Sequence, residues 1–167
     1  MIPIPDAAWE ERLTALWAQF DRLDEQAFVQ RIDALAAELP AGDPAALFER
    51  AAARDSTGRP HDAVPLYRAA LAGGLAGMRR RRAVIQMASS LRNLGDAATA
   101  ARLLAAESDA GSDELDGAVC AFLALALADL GREREALSLS LCALAPLLPR
   151  YNRSLARYAE ALLDPAP

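Results

Sequence analysis

Residues 51–71, AAARDSTGRPHDAVPLYRAAL, decide the fold of this chain. An alanine-rich segment runs into Gly58, and a glycine at this place adopts the positive φ that ends many helices. Apolar residues then recur with helical spacing from Ala63 to Leu71. Because the connection between the two segments is so short, two helices joined by it must be antiparallel neighbours. The stretch therefore predicts a helical hairpin.

The composition predicts an all-α fold. The chain has 167 residues, of which 53% are apolar and 5% aromatic. Alanine and leucine dominate the apolar share, and this mixture favours close-packed helices over strands. A chain of this length builds one sizeable core, so we expect a single domain spanning residues 1–167.

Charge and hydropathy exclude several classes of partner. The net charge of −5 argues against general nucleic-acid binding, which needs a basic surface. No window of about 20 residues is free of charge, and no secretory leader opens the chain, so neither membrane insertion nor export is expected. We therefore expect a cytoplasmic protein with no nucleic-acid and no membrane partner.

Helix start and stop signals divide the chain into about nine helices. Asp6, Asp24 and Asp43 are the expected N-caps of the first three. Pro65 lies inside the fourth, which therefore begins near Asp62 or is kinked at Pro65. The predicted hairpins span about 6–40, 44–74, 78–107 and 113–145, and a capping helix spans about 150–163. The capping helix carries an apolar face that we expect to cover the last hairpin: Tyr151, Leu155, Tyr158 and Leu162.

An alanine recurs on the second helix of every predicted hairpin. These residues are Ala27, Ala63, Ala100 and Ala136, at separations of 36, 37 and 36 residues. A small residue lets two helices cross at close range, which explains the alanine physically. Other small residues keep the same register: Ala15, Ala51, Ala88 and Ala124 on the first helices, Gly58, Gly95 and Gly131 at the turns, and Ala34, Ala70 and Ala143 farther along the second helices. The chain is therefore a repeat.

This pattern resembles the tetratricopeptide repeat, in which a small residue on the first helix, a glycine at the turn and two alanines on the second helix mark the tight contacts. The runs DSTG at 55–58, VPLY at 64–67 and IQMASSLRNLG at 85–95 also look like a small bacterial subfamily of unknown function. The resemblance covers residues 6 to about 148. It implies a right-handed superhelical array of antiparallel helical hairpins.

The resemblance also implies a concave groove, lined by the first helices, that takes an extended peptide or a partner helix. The residues expected to contact the partner are Phe48 and Asp55 in the second hairpin, Arg82, Gln86, Ser89, Arg92 and Asn93 in the third, and Phe122 in the fourth. Arginines beside amide and hydroxyl groups form charge-assisted hydrogen bonds to a carboxylate. We therefore expect a protein or peptide partner that presents a carboxylate or another acidic group.

The same polar residues have a structural alternative, which is hydrogen bonding between repeats. Residues 79–82 are four consecutive arginines that point in four directions on a helix, so at most two of them face one ligand. The others are solvated or paired with Glu49, Asp55 or Asp109. Asp55 and Ser56, just before the turn, are also suited to capping neighbouring helix ends.

The alternative function is self-association without a peptide ligand. Apolar surface on Trp9, Trp17 and Phe20 of the opening helix, or an open end of the stack, is suited to form a homodimer.

Catalysis, metals and cofactors have little support in the sequence. His61 is the only histidine, and capping outweighs an arrangement of Ser56, His61 and Asp55 as a catalytic triad. No phosphate-binding loop and no metal-ligand spacing occur. Cys120 and Cys142 lie in Ala/Leu runs, which predicts buried thiols without a disulfide. We therefore predict a protein that is not an enzyme and binds no cofactor and no metal.

Overall fold

A computed structural model describes residues 5–164, and all regular structure within that range is helical. The helices of this range are α1 (Ala7–Trp17), α2 (Glu25–Ala36), α3 (Pro44–Ser56), α4 (Pro60–Ala72), α5 (Gly77–Asn93), α6 (Ala97–Asp109), α7 (Asp116–Asp129), α8 (Glu133–Leu144) and α9 (Asn152–Glu160). Short 3-10 turns occupy Phe20–Arg22, Ala145–Leu147 and Ala161–Leu163. The predictions of an all-α fold and of about nine helices are confirmed.

The chain packs as two compact units, which divide between Ser90 and Leu91 inside α5. Unit 1 holds α1 to α4 and most of α5, and unit 2 holds the end of α5 and α6 to α9. The expectation of a single domain stays a prediction.

Helix starts follow the local sequence closely. The side chains of Asp6, Asp24 and Asp43 each accept hydrogen bonds from backbone N–H groups in the first turn of α1, α2 and α3. These bonds satisfy donors that have no partner inside the helix, which is why acidic residues precede all three. In contrast, α4 begins at Pro60 and continues through Pro65. Of the two alternatives for Pro65, a start near Asp62 is therefore excluded, and a kink at Pro65 stays a prediction.

The three glycine turns of the repeat have one geometry. Gly58, Gly95 and Gly131 have φ of 68°, 90° and 73°. The N–H of the residue after each glycine donates to the carbonyl five residues before it, over 2.8 to 3.0 Å. Only glycine takes this left-handed conformation without strain, and the bonds satisfy carbonyls at the helix end. The glycine therefore specifies the same turn at all three positions.

Close helix contacts explain most of the repeated alanines. Ala51, Ala63 and Ala70 are fully buried in the α3–α4 hairpin. Their counterparts on later helices are also buried: Ala88, Ala100, Ala124 and Ala136. Ala143 is half-buried, and at the position of the second alanine the third hairpin carries Glu107, whose side chain is also buried.

The first hairpin does not follow this rule. Ala15 and Ala34 are exposed, so the prediction that they mark tight helix contacts is wrong. Large side chains pack between α1 and α2 instead. The core of this hairpin consists of Trp9, Leu13, Leu16, Phe28, Val29, Ile32 and Leu35, joined by Ala53 from α3. Because bulky residues already fill the space between these helices, small residues at the crossing have no contact to make.

Unit 2 ends with a helix whose burial differs from the expected pattern. On α9 and the turn after it, Leu155 and Leu162 are half-buried, whereas the side chains of Tyr151 and Tyr158 are exposed. The prediction that both tyrosines cover the last hairpin is therefore wrong: Tyr151 precedes α9 with a positive φ of 69°, and both side chains face solvent. The side chains of Cys120 and Cys142 are partly exposed, where full burial was expected.

Candidate functional site

A buried charge network joins three helices of unit 1. Glu49 on α3 is 2% exposed and accepts hydrogen bonds from Arg79 Nε and Trp17 Nε1, each over 3.0 Å. The two terminal nitrogens of Arg79 donate to Glu10 over 2.7 and 2.6 Å. The bonds to Glu10 raise the pKa of Arg79, with burial acting in the opposite direction and Glu49 adding to the rise. Arg79 is therefore fully engaged within the protein, and its bond to Glu49 is one of the pairings that the structural alternative allowed.

A second network surrounds Asp55 at the C-terminal end of α3. Ser90 Oγ on α5 donates to Asp55 over 2.6 Å, and the Tyr67 hydroxyl lies 3.4 Å from an oxygen of Asp55 and 3.4 Å from Oε1 of Gln86. Burial raises the pKa of Asp55, although its hydrogen bonds with Ser90 and Tyr67 act to lower it. Burial and the neighbouring Asp55 also raise the pKa of Tyr67. Asp55 therefore ties α3, α4 and α5 together.

Arg82 differs from Arg79 in its surroundings. Its guanidinium carbon lies 5.2 Å from the centre of the Phe48 ring, and its side chain is exposed. Arg82 makes no ion pair with any other residue of the range 5–164. A guanidinium that stacks on a ring keeps its N–H donors, which lie in its plane, free for a second partner.

Phe48 supports Arg82 from below. The ring is fully buried, and its centre lies 6.2 Å from that of Tyr67. The expectation that Phe48 contacts a partner directly is therefore wrong, because the ring has no accessible surface. Its role is to contact the guanidinium of Arg82.

Three of the predicted contact residues share one stripe of α5. Arg82, Gln86 and Ser89 are spaced by four and three residues, which places them on the same helix face. Gln86 and Ser89 are half-buried and Arg82 is exposed. Unit 1 thus presents a guanidinium, an amide and a hydroxyl in one row, beside the half-buried carboxylate of Asp55.

The remaining predicted residues lie in unit 2. Arg92 is paired with Asp129 on α7, with Nε 2.6 Å from one carboxylate oxygen and a terminal nitrogen 3.1 Å from the other. Asn93 is exposed and Phe122 is half-buried. Arg92 therefore already has an acidic partner within the chain, which distinguishes it from Arg82.

The residues weighed for catalysis are not assembled into a triad. Ser56 and His61 are both exposed, and the Asp55 carboxylate is bonded to Ser90 and Tyr67. Within residues 5–164 no group of three His, Cys, Asp or Glu side chains is placed to hold a metal ion. No helix in that range is both long enough and apolar enough to span a bilayer.

The sequence did not indicate several members of these networks. Trp17 was assigned to the apolar surface of the opening helix and Glu10 was given no role, because nothing in their spacing pairs them with Arg79. Ser90 directly follows the predicted Ser89, and because each residue of an α-helix turns by about 100°, it is Ser90 that faces Asp55. A cleft of about 600 Å³ in unit 2 was also not anticipated; residues of α6, α7 and α8 line it together with Glu160 and Leu163, and its lining combines apolar and charged side chains.

Comparison with known proteins identifies a family that this chain matches. A family model described as tetratrico peptide repeat matches residues 44–162, which include α3 to α9 and exclude the first hairpin. No curated protein and no solved structure matches the chain significantly.

Proposed function

Because the chain belongs to the tetratricopeptide repeat family, we propose that it is a non-catalytic interaction module whose unit 1 binds a peptide segment carrying a carboxylate. The family generally mediates interactions between proteins and is typically non-catalytic, so a protein partner is the general expectation. We further propose that the partner presents an acidic group, that it binds at the α5 residues described above, and that the protein is cytoplasmic.

One observation carries this proposal, namely the free guanidinium of Arg82. Arg79 and Arg92 both have carboxylate partners within the chain, whereas among residues 5–164 Arg82 contacts the Phe48 ring and forms no ion pair. The cation–π contact with Phe48 favours one position of the guanidinium, so less side-chain freedom is lost when a ligand binds. A carboxylate that accepts two parallel N–H bonds is the ligand that best matches this geometry.

The neighbours of Arg82 suit the backbone of an extended peptide. Gln86 offers both donors and acceptors, and Ser89 offers a hydroxyl one turn farther along α5. Asp55 accepts hydrogen bonds and is suited to a backbone N–H, whereas a second acidic group placed beside it would be repelled. We therefore propose that the carboxylate lies at Arg82 and that the chain of the peptide runs along α5 toward Ser89.

The structural alternative explains part of the polar cluster. Arg79, Glu49 and Ser90 are occupied by bonds between helices, as that alternative expects. It does not explain why an exposed arginine is positioned over a buried aromatic ring without an acidic partner, which is the feature that supports binding.

Selection of peptides tests the proposal without a known partner. Purified protein would be used to select from a random peptide library displayed with free carboxyl termini. We expect the selected peptides to share a carboxylate, either an Asp or Glu side chain or the C-terminus itself. Selection of peptides that lack a common acidic group would contradict the proposal.

The alternative of self-association loses one of its two proposed surfaces. Trp9 is 2% exposed, and the rings of Trp17 and Phe20 pack against Phe28 at centre distances of 5.0 and 4.9 Å. The expectation that these three side chains form an exposed apolar surface is therefore wrong, because Trp9 is buried in the core of unit 1 and Trp17 and Phe20 are half-buried against it. The second surface suggested for a homodimer, the open end of the repeat, is not affected by this burial.

A further inference from the structure

The cleft of unit 2 has the size of a ligand pocket and takes no part in the site on α5. Its volume is about 600 Å³, and pockets of roughly 300–1,000 Å³ hold drug-sized ligands. Alanines of α6 and leucines of α7 and α8 make most of its surface apolar. Two of its leucines, Leu130 and Leu163, remain 40% and 57% exposed. The cleft therefore offers apolar surface that a ligand of this size would bury.

The helix that follows the repeats supplies one wall of the cleft. Arg134 Nε on α8 donates to the carbonyl of Leu162 over 2.8 Å, and this bond holds the turn after α9 against α8. Glu160, at the end of α9, and Leu163 line the cleft from this side. The hairpins α5–α6 and α7–α8 alone do not form the cleft, because it needs residues from beyond them.

Ser138 places a polar group without a partner in the apolar wall. Its side chain lines the cleft and is 4% exposed. Two residues later, the hydroxyl of Ser140 donates to the carbonyl of Ala136 over 2.8 Å, as hydroxyls on helices often do. The hydroxyl of Ser138 has no hydrogen-bond partner in the described part of the chain. Because a buried polar group without a partner costs free energy, a ligand that bonds to Ser138 gains affinity.

Two charges of opposite sign line the same cleft without a partner. Arg102 lies on α6 and Glu160 at the end of α9, so they approach the cleft from different elements. They do not pair with each other or with any other residue between 5 and 164. The other two charges of the lining, Arg132 and Glu135, are bonded to one another over 2.7 and 2.6 Å. One cation and one anion are thus available to a ligand.

We propose that this cleft binds a short apolar peptide, of about two or three residues, whose two termini are free. The terminal carboxylate pairs with Arg102, the terminal ammonium group with Glu160, and a peptide N–H or C=O group with Ser138. The apolar side chains of the peptide lie against the leucines of the wall. This site is separate from the one proposed at Arg82, and it requires no acidic side chain.

Other classes of ligand match fewer of these groups. A fatty acid supplies a carboxylate for Arg102, but its chain leaves Ser138 without a partner and its charge is repelled by Glu160. An uncharged apolar molecule uses neither Arg102 nor Glu160. A single apolar amino acid carries both charges but has no peptide group for Ser138 and fills only part of the cleft.

Isothermal titration calorimetry with trileucine tests the proposal. We expect a dissociation constant below about 100 µM. Binding should be at least about tenfold weaker in Arg102→Met and in Glu160→Gln, as expected for loss of a charge-assisted hydrogen bond. Arg153→Met and Glu133→Gln remove the same charges from exposed residues outside the cleft, so both should bind trileucine like the wild type.

Ser138→Ala tests the contact inside the cleft. The variant loses a hydroxyl that bonds to no described residue, so its urea unfolding should match that of the wild type or shift to higher urea, whereas trileucine should bind about three- to tenfold more weakly. Unchanged binding would contradict the role given to this hydroxyl.

Competing ligands distinguish a peptide from other occupants. Trileucine that is acetylated and amidated lacks both terminal charges and should bind at least about tenfold more weakly, and leucine and octanoate should also bind more weakly than trileucine. No binding of trileucine at about 1 mM, equal binding of the capped peptide, or tighter binding of leucine or octanoate would overturn the proposal.

One further variant separates the two proposed sites. Arg82→Met should leave the binding of trileucine unchanged, because Arg82 does not line the cleft. Loss of trileucine binding in Arg82→Met would instead place the peptide on α5 and contradict the site in unit 2.

Discussion

Two arginines three residues apart on α5 have different roles. Arg79 lies between Glu10 and Glu49 and neutralises a carboxylate that water does not reach. Arg82 rests on Phe48 and faces solvent. The network of Arg79 stabilises unit 1, and Arg82 is the residue that remains available to a partner.

Replacement of each arginine by methionine separates these roles. Arg79→Met leaves Glu49 buried with one hydrogen bond, from Trp17, and we expect it to lower the free energy of unfolding by about 2–3 kcal/mol. Arg82→Met loses the stack on Phe48 and is expected to cost less than about 1 kcal/mol. Urea unfolding of both variants measures the difference, and equal losses would contradict the assignment.

Two carboxylates of unit 1 are predicted to respond to pH in opposite directions. Arg50 and Arg54 lower the pKa of Asp33 against the effect of partial burial, so the stabilisation from Asp33 is present above 3.8 and lost as the pH falls. Burial raises the pKa of Asp55, so its protonated form is favoured in the folded state, and that stabilisation is lost as the pH rises through the raised pKa.

Thermal unfolding between pH 3 and 7 distinguishes the two. Asp33→Asn should cost about 1 kcal/mol at pH 7, a value reduced for the partial exposure of its partners, and the loss should shrink as the pH approaches 3. Asp55→Asn resembles the protonated acid and should leave stability at pH 7 unchanged or higher. A large loss in Asp55→Asn at pH 7 would contradict the assignment.

The second alanine of the repeat lies in different environments in the first and second hairpins. Ala70 is fully buried in the α3–α4 hairpin, whereas Ala34 at the same register position of the first hairpin is exposed. The family match begins at residue 44 and so excludes the first hairpin. The first hairpin has large side chains in its core, and the later ones have small residues at their crossings.

A larger side chain at each position tests this difference. Ala70→Leu inserts a branched side chain into a filled contact and is expected to lower the free energy of unfolding by about 1–3 kcal/mol. Ala34→Leu adds the same atoms at the surface and is expected to change it by less than about 0.5 kcal/mol. The matched pair differs only in burial, so equal effects in urea unfolding would show that the first hairpin packs like the others.

The helix boundaries could be predicted because they depend on neighbouring residues. The contacts of the candidate site could not, because they depend on how the helices pack. Asp43 and Gly58 act on their own helix ends, so their roles follow from neighbouring residues. Two contacts depend on the orientation of α5 about its own axis relative to α3: the burial of Phe48 and the hydrogen bond from Ser90 to Asp55. A rotation of one residue about a helix changes which side chains face a partner, and a single sequence does not specify it.

The whole molecule combines two units that differ in what they leave unpartnered. Unit 1 leaves a polar group, the guanidinium of Arg82, and unit 2 leaves an apolar face on α7 and α8. We propose that the unpaired guanidinium of unit 1 serves recognition of an acidic peptide.

Binding of a selected acidic peptide, measured by isothermal titration calorimetry in the wild type, Arg82→Met and Arg68→Met, tests the central claim most directly. Arg68 is an exposed arginine on α4 and controls for the loss of one positive charge. We predict that the dissociation constant rises by at least about tenfold in Arg82→Met, as expected for loss of a charge-assisted hydrogen bond, and is unchanged in Arg68→Met. Equal affinity of all three proteins would contradict the account.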